Sequence, residues 1–225
     1  MINKLAIRLG LIVTLIVMIV ACDKDVIISK YKGFDDGYVS MRSGTSWLYK
    51  VDSTCTETNK PANLYTFYVK ETVIDSVKQG STVTYLISSE RSVALDGSFE
   101  PYGEFRLIVS DERIIHTGFD YKIIALKAPL FVNSKWNNVY LECNNQQSMV
   151  VNRMDVDYLH GNAYEDVITV NHCLEYHYDI RKSHESRYAK EAGLIEETIY
   201  RGFYNRLEGR TTGTTITKSL LTYAY

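Results

Sequence analysis

The residues of this chain best suited to chemistry are three of its five histidines, His172, His177 and His184. On a β-strand, Cys173, Glu175 and His177 would project from one face, because alternate residues share a face. Zinc accepts such donors, but three or four of them must converge at about 2.0–2.3 Å. We identify no further ligand and predict no metal site, with these three residues as weak candidates. His172 points the other way and is expected to be a hydrogen-bonded core residue.

Recognisable catalytic patterns are missing from the sequence. His184-Glu185 begins like a zinc-protease motif, but Tyr188 stands where that motif has its second histidine. The sequence holds no G-x-S-x-G, phosphate-binding loop or dinucleotide-binding glycine pattern. We therefore predict no catalytic residue and no cofactor. An enzyme with an unrecognised site stays open as an alternative, and Glu175 and His177 would be its first residues to mutate.

The N-terminus has the proportions of a signal peptide. Lys4 and Arg8 form a short positive region, and residues 9–21 are an uncharged, largely apolar run. A membrane-spanning helix needs about 20 apolar residues, so this run is too short for a confident anchor. It ends in Ile19-Val20-Ala21-Cys22.

This ending resembles the lipobox of bacterial lipoproteins. In that family the signal peptide is cut before the cysteine, whose sulfur then carries a diacylglycerol and whose amine is usually acylated, palmitate being a typical chain. The resemblance implies that residues 1–21 are removed, that Cys22 is the lipidation site and that residues 22–36 form a lipidated tether. An ordinary secretory signal and an uncleaved anchor are the alternatives.

Composition excludes several classes of protein. The 225 residues carry 25 Lys+Arg against 27 Asp+Glu, so we expect no nucleic-acid partner. A hydrophobic content of 45% is enough for a packed core, which excludes an intrinsically disordered chain. The 18 tyrosines suit both β-strands and recognition surfaces.

Period-two alternation dominates the chain after residue 37. Tyr65, Phe67 and Val69 share one face of a strand, and similar runs follow at intervals punctuated by glycines. We predict an all-β protein in which residues 37–225 form a single antiparallel β domain, as a curved sheet, partial barrel or sandwich with little helix. Residues 164–180 are the longest candidate strand, and residues 183–192 are the one place for a helical turn or two.

Two segments align residue for residue, residues 41–47 and residues 130–136, each ending in tryptophan. Asn133 stands where Gly44 stands, and these two residue types best tolerate positive φ. The same tight turn is therefore expected at both places. The repeat suggests two related halves, about 37–127 and 128–225, although chance similarity is a serious rival.

Two motifs resemble those of uncharacterised Bacteroidota lipoproteins. The first is Gly44-x-x-Trp47-x-Tyr49-x-Val51-Asp52-Ser53, and the second is Tyr188-Ala189-Lys190-Glu191-Ala192-Gly193-Leu194-Ile195. They bracket most of the mature chain and imply a curved antiparallel sheet with an envelope address, but no activity. Glu191-Ala192 departs from the more usual Gly-Val.

Possible modifications follow from the exported setting. An exported chain can form disulfides, and Cys55–Cys143 is our least strained pairing, with three free thiols including Cys173 almost equally open. Ser53 and Ser76 match a short Bacteroidota O-glycosylation pattern.

We expect a non-enzymatic binding module held at the outer membrane by its lipid anchor, with a protein, glycan or lipid of the envelope as partner. The alternative is a periplasmic lipid or lipoprotein carrier with an apolar cavity. The face of the membrane stays open, because the acidic cluster Asp23-Lys24-Asp25 is too short to decide it.

Overall fold

The computed structural model describes residues 37–39, 41–57, 60–118, 122–138, 147–177, 179–205 and 210–225. These residues contain no helix, and hence none long and apolar enough to cross a membrane. They form twelve antiparallel strands, which confirms the predicted all-β fold. The strands are β1 (Ser46–Thr56), β2 (Asn63–Gln79), β3 (Thr82–Ser92), β4 (Glu100–Val109), β5 (Arg113–Thr117), β6 (Lys122–Lys127), β7 (Lys135–Asn137), β8 (Gln147–Leu159), β9 (Asn162–His177), β10 (Ile180–Ala189), β11 (Gly193–Asn205) and β12 (Arg210–Ala224).

All twelve strands belong to one sheet, in the order β6-β5-β4-β3-β2-β1-β12-β11-β10-β9-β8-β7. Strands that are consecutive in sequence pair with each other, except β6 and β7, which form the two edges of the sheet. Among the described strands, the one pairing between strands that are not consecutive is that of β1 with β12. The sheet is thus two meanders of six strands joined at the first and last strands. Whether the two halves are related stays a prediction.

One face of the sheet forms the core. On β1, Trp47, Tyr49 and Val51 are buried while the residues between them are more exposed, as period-two alternation requires. The other strands supply further buried apolar side chains, among them Val73, Tyr85, Ile87, Val109, Leu126, Val150, Ile168, Val170, Ile195 and Leu220. The curved sheet therefore encloses its own core.

The structure corrects two predicted elements. Residues 183–192 are not helical: they belong to β10 and the turn after it, and β10 pairs with both β9 and β11. Their alternation was hidden because the buried positions of β10 include the polar residues His184 and Ser186. The predicted strand over residues 164–180 is also interrupted, because β9 ends at His177 and β10 begins at Ile180.

The two aligned segments form the same turn, as predicted. Gly44 has φ 91° and Asn133 has φ 73°, both in the left-handed region. In each turn the next residue donates its backbone N–H to a carbonyl three residues back, Thr45 to Arg42 at 3.0 Å and Ser134 to Phe131 at 2.9 Å.

Each turn leads a tryptophan into the core. The indole N–H of Trp47 donates to the Ala192 carbonyl at 2.9 Å, and that of Trp136 donates to the Ile124 carbonyl at 3.0 Å. Both side chains are buried. The two tryptophans therefore tie their strands to elements far away in sequence or across the edge of the sheet.

Side chains close the gap between the edge strands β6 and β7. The Ile124 backbone N–H donates to Asn138 Oδ1 at 2.8 Å, and Asn138 Nδ2 donates to the Ile124 carbonyl at 2.9 Å. A carboxamide presents the same donor and acceptor as a peptide group, so Asn138 takes the place of a strand partner. The sheet is consequently nearly closed and barrel-like.

The strand directions define two ends of the sheet. The end that carries residues 43–45, 110–112, 128–134 and 190–192 is called the entry rim, because the chain arrives there. Tyr38 is buried at this rim, and the Glu191 N–H donates to the Gly37 carbonyl at 2.5 Å. The opposite end, where β2, β4, β10 and β12 begin, is called the far rim.

Replacing Asn138 by alanine should destabilise the protein by about 3 kcal/mol, because the Ile124 N–H loses its acceptor, and the Ile124 carbonyl and the buried Ser148 hydroxyl each lose one donor. Urea unfolding followed by circular dichroism measures the effect. Asn137→Ala is the matched control: its side chain is exposed, and the change should cost less than about 0.5 kcal/mol. Equal losses in both variants would show that Asn138 does not close the sheet.

Candidate functional site

A line of polar side chains crosses the interior of the sheet. Most of its members are buried, and each comes from a different strand or adjoining segment. In spatial order this polar line consists of Asn138, Ser148, His172, His184, Glu197, Lys218 and Glu71.

The first part of the polar line is uncharged. Asn138 Nδ2 donates to Ser148 Oγ at 2.8 Å, and Ser148 Oγ lies 3.0 Å from His172 Nδ1. A serine hydroxyl has one proton to donate and two lone pairs, so it can accept from Asn138 and also exchange a hydrogen bond with His172 Nδ1, whose direction depends on the ring tautomer. Burial lowers the pKa of His172 well below its ordinary value, which agrees with a neutral ring. The prediction of His172 as a hydrogen-bonded core residue is confirmed.

The second part of the polar line carries charge. The His184 ring lies 4.9 Å from that of His172, and His184 Nε2 is 2.8 Å from Glu197 Oε1. Glu197 is opposite Lys218 in the register of β11 and β12. The Lys218 ammonium lies 4.1 Å from the centre of the Tyr49 ring, and it also forms a salt bridge.

That salt bridge joins Lys218 on β12 to Glu71 on β2, across the intervening strand β1. Both side chains are largely buried, with 16% and 11% of their surface accessible. A buried ion pair gives little net stability but is costly to break, because the remaining charge then has no partner. The pair therefore fixes how β12 and β2 sit about β1.

The charged groups hold each other in defined protonation states. Burial acts to raise the pKa of Glu197, but the hydrogen bond from His184 and the charges of His184 and Lys218 outweigh it and lower the pKa to about 2. Burial lowers the pKa of His116, which lies near Glu197 and Lys218, to about 4. At neutral pH Glu197 is therefore ionised and His116 neutral.

A cavity of about 60 Å³ lies in the entry-rim half of the interior. Its walls are mostly apolar, with Phe105 and Leu107 among them, and its polar groups include His116 and Lys218. Tyr38, from the segment where the chain arrives, also lines it. One buried water needs about 10–15 Å³, so the space corresponds to about four to six waters.

The Ser148–His172 contact has the residue types of a nucleophile and base, but not their access. Ser148 is 0% exposed and His172 1%. A nucleophile must reach a substrate carbonyl or phosphorus, and no substrate reaches a side chain enclosed on every side. Ser148 and His172 therefore contribute hydrogen bonds to the interior and lack the access that a nucleophile and its base need.

Cysteine pairing differs from the prediction. Cys55 is a free thiol on β1, so the predicted Cys55–Cys143 bridge is not formed. Cys173 is disulfide-bonded in the middle of β9, which also excludes three free thiols. Cys143 and the lipidation candidate Cys22 lie outside the described residues. Cys55 lies within β1, which extends to Thr56.

The weak metal candidates do not form a site. Cys173 has no thiolate to offer because it is in a disulfide, and Glu175 is buried on β9. His177 is the last residue of β9. Across the part of the chain that the structure describes, no three His, Cys, Asp or Glu side chains are grouped so as to hold a metal ion.

The two O-glycosylation candidates differ in access. Ser53 lies within β1, half-buried between Tyr65 on β2 and Ile216 on β12. Ser76 is exposed on β2, close to the hairpin that leads to β3. Ser76 is therefore the more accessible of the two side chains. Glycosylation itself stays a prediction for both serines.

Sequence reasoning missed most of the polar line. Glu196 and Glu197 are adjacent acidic residues outside any recognisable motif, yet they face opposite sides of β11: Glu196 pairs with Arg187 at 2.7 Å and Glu197 with His184. Strand alternation could have separated the two faces. It could not show which face is inside, because both positions are acidic.

Aromatic side chains gather at the far rim. Three of them are more than half exposed: Tyr65, Tyr102 and Phe203. The Arg91 guanidinium lies 5.0 Å from the centre of the Tyr102 ring and 5.9 Å from that of Phe67. Farther around the same rim, Arg181 lies 4.6 Å from the Tyr204 ring. The far rim thus combines exposed ring faces with arginines stacked on rings.

Comparison with known proteins gives structural likenesses only. No family model and no curated protein matches the chain. The chain is similar to a Bacteroides fragilis protein whose name describes it as exported and as having a YmcC-like fold, with TM-score 0.48, 9% identity, and 82% of this chain and 97% of that one covered. It is also similar to a Parabacteroides distasonis protein named as a lipoprotein, with TM-score 0.45, 10% identity, and coverage of 84% and 98%. The function therefore rests on the geometry of this chain.

Acid should destabilise the protein in two steps. The pKa of His116 is about 6.5 in the unfolded chain and about 4 in the folded one. Between these pH values the unfolded chain binds a proton at His116 that the folded chain does not bind, so the free energy of unfolding falls as the pH is lowered. Between pH 4.5 and about 2, the unfolded chain protonates Glu197 first, and further stability is lost. After allowance for partial solvent contact, we expect each step to amount to about 2 kcal/mol.

Urea titrations across both windows test these two steps. His116→Gln should reduce the slope of stability against pH in the upper window only, and Glu197→Gln in the lower window only. Slopes unchanged in both variants would contradict the assignment.

Proposed function

We propose that this chain is an exported lipoprotein of the bacterial envelope, anchored in the outer membrane through acylated Cys22, which binds an envelope or extracellular glycan at its far rim. The single observation that carries the proposal is the aromatic and arginine cluster on the rim opposite to the chain's arrival. The lipobox resemblance and the antiparallel sheet support the proposed location in the envelope.

The position of the tether favours a far rim that points away from the membrane. Residues 23–36 lead from Cys22 to Gly37 at the entry rim, a stretch of 14 residues. The far rim lies one strand length beyond, about 35 Å for an 11-residue strand such as β1. A partner outside the membrane therefore meets the far rim first.

The side chains of the far rim suit sugars better than a flat protein surface. Exposed rings such as Tyr65 and Tyr102 offer apolar faces together with a polar hydroxyl, which matches the mixed faces of a sugar ring. Arg91 lies over Tyr102, and a stacked guanidinium keeps its N–H edge for hydroxyl or carboxylate groups. A glycan that carries acidic groups fits this combination.

The cavity argues against the carrier alternative. Pockets for drug-sized ligands measure about 300–1,000 Å³, several times the roughly 60 Å³ found here. Part of its wall is charged, since Glu71 and Lys218 both line it. An acyl chain would need a larger and drier space, so binding at the rim is the better-supported function.

Cys22→Ala should release the protein from the membrane fraction, because several buried acyl chains are what would make the anchoring stable. Fractionation of cells followed by carbonate washing measures the distribution. Cys55→Ala is the matched control, since Cys55 is a free thiol within the sheet and its variant should stay membrane-bound. A Cys22→Ala protein that resists washing would contradict the anchor.

The double variant Tyr65→Ala/Tyr102→Ala should bind an acidic polysaccharide about tenfold more weakly, which corresponds to the loss of about 1.4 kcal/mol of ring contacts. Affinity electrophoresis in gels containing polygalacturonate measures the binding, with neutral dextran for comparison. Tyr158→Ala is the control, because Tyr158 is 72% exposed but lies near the entry rim. Equal retardation of all three proteins would contradict binding at the far rim.

A further inference from the structure

The loop between β6 and β7, residues 128–134, exposes two adjacent apolar side chains at the entry rim. Phe131 is 58% exposed and Val132 44%. Leu130, directly before them, is 4% exposed and belongs to the core. The loop therefore buries one apolar residue and presents the next two to the outside.

The apolar tip is held in place by hydrogen bonds. The Asn133 N–H donates to the Val150 carbonyl at 2.8 Å, and the Val150 N–H donates to the Ser134 carbonyl at 3.0 Å. Arg153 Nη1 donates to the Leu130 carbonyl at 3.1 Å. Because the backbone on both sides of the tip is fixed, Phe131 and Val132 cannot fold back into the core.

Charged side chains surround the tip. Lys127 and Lys135 flank the loop and are exposed. The neighbouring turn before β5 adds the exposed residues Asp111 and Glu112, and the first residue of β5, Arg113, is exposed as well. Three basic groups against two acidic ones leave one net positive charge. Apolar side chains flanked by lysines are suited to an interface between acyl chains and anionic headgroups.

We propose that the loop of residues 128–134 dips into the headgroup region of the membrane that carries the anchor, with Phe131 and Val132 as the inserted side chains. This inference rests on the proposed function, because it takes the anchor to be Cys22. The place where the described chain begins selects a lipid surface as the occupant: Gly37, which follows the tether in sequence, lies at the same rim as the loop. Tyr225, 45% exposed, lies on this rim too, and tyrosine is favoured at membrane interfaces.

Tryptophan fluorescence tests the proposal on the full lipidated chain. Phe131→Trp places an indole at the tip, and Phe203→Trp places one at the far rim, where the native side chain is similarly exposed at 64%. The native Trp47 and Trp136 are 5% and 4% exposed and contribute a constant background. Both variants are reconstituted into phosphatidylcholine–phosphatidylglycerol vesicles with brominated acyl chains, which quench only indoles that enter the bilayer.

We expect the emission added at position 131 to be largely lost in brominated vesicles and the emission added at position 203 to be unchanged. Quenching at neither position, in a protein that sediments with the vesicles, overturns the membrane contact and leaves the anchor standing. Quenching at both positions overturns the orientation and the proposal with it. A chain that does not sediment with vesicles overturns the anchor, and the proposal that rests on it.

Two further variants guard against misfolding and test the charges. Should Phe131→Trp fail to fold, Val132→Trp places the indole at the other inserted position, and its quenching by brominated acyl chains tests the same contact. Lys127→Gln/Lys135→Gln should reduce the quenching at position 131 when the vesicles contain phosphatidylglycerol and leave it unchanged in phosphatidylcholine alone. Equal quenching in both lipids with and without the lysines would overturn their part in the contact.

Discussion

An open sheet has two edges, and every unpaired N–H and C=O on them must find a partner or remain in water. In this protein the two edges, β6 and β7, meet, and the contact between Asn138 and Ile124 replaces the missing ladder. The other junction of the two meanders, between β1 and β12, is a continuous backbone pairing. The enclosed interior depends on both junctions. A carboxamide is the side chain that can reproduce a peptide's donor and acceptor together.

Closing the sheet with a polar residue has a consequence for the interior. Asn138 has a second donor hydrogen, and once buried it requires a further acceptor. Ser148 Oγ supplies that acceptor, and the buried Ser148 hydroxyl is in turn hydrogen-bonded to His172. The polar line thus continues inward until it reaches groups that can carry charge, ending at Lys218 and Glu71. Its members belong together, because removing one leaves a buried neighbour unsatisfied.

The same sheet separates two surfaces with different chemistry. The entry rim receives the chain and presents an apolar loop tip between lysines, whereas the far rim presents rings stacked with arginines. Antiparallel strands make this separation simple, because successive hairpins emerge at opposite ends. A rigid sheet between the two rims would keep an attachment surface and a recognition surface a fixed distance apart.

The sequence alone determined what depends on local pattern. Alternation of apolar and polar residues identified the antiparallel strands. The alignment of residues 41–47 with residues 130–136, which places Asn133 at the position of Gly44, identified two equivalent turns, since these residue types tolerate positive φ locally. The hydrogen-bonded role of His172 was also readable, from its place on an apolar face. Only the tertiary structure decided which polar residues are inside: His184, Glu197 and Asn138 look like surface residues until strands distant in sequence bury them. The pairing of β1 with β12, the state of Cys173 and the rim on which each loop lies depend likewise on the closure of the sheet, and closure is a property of all twelve strands together.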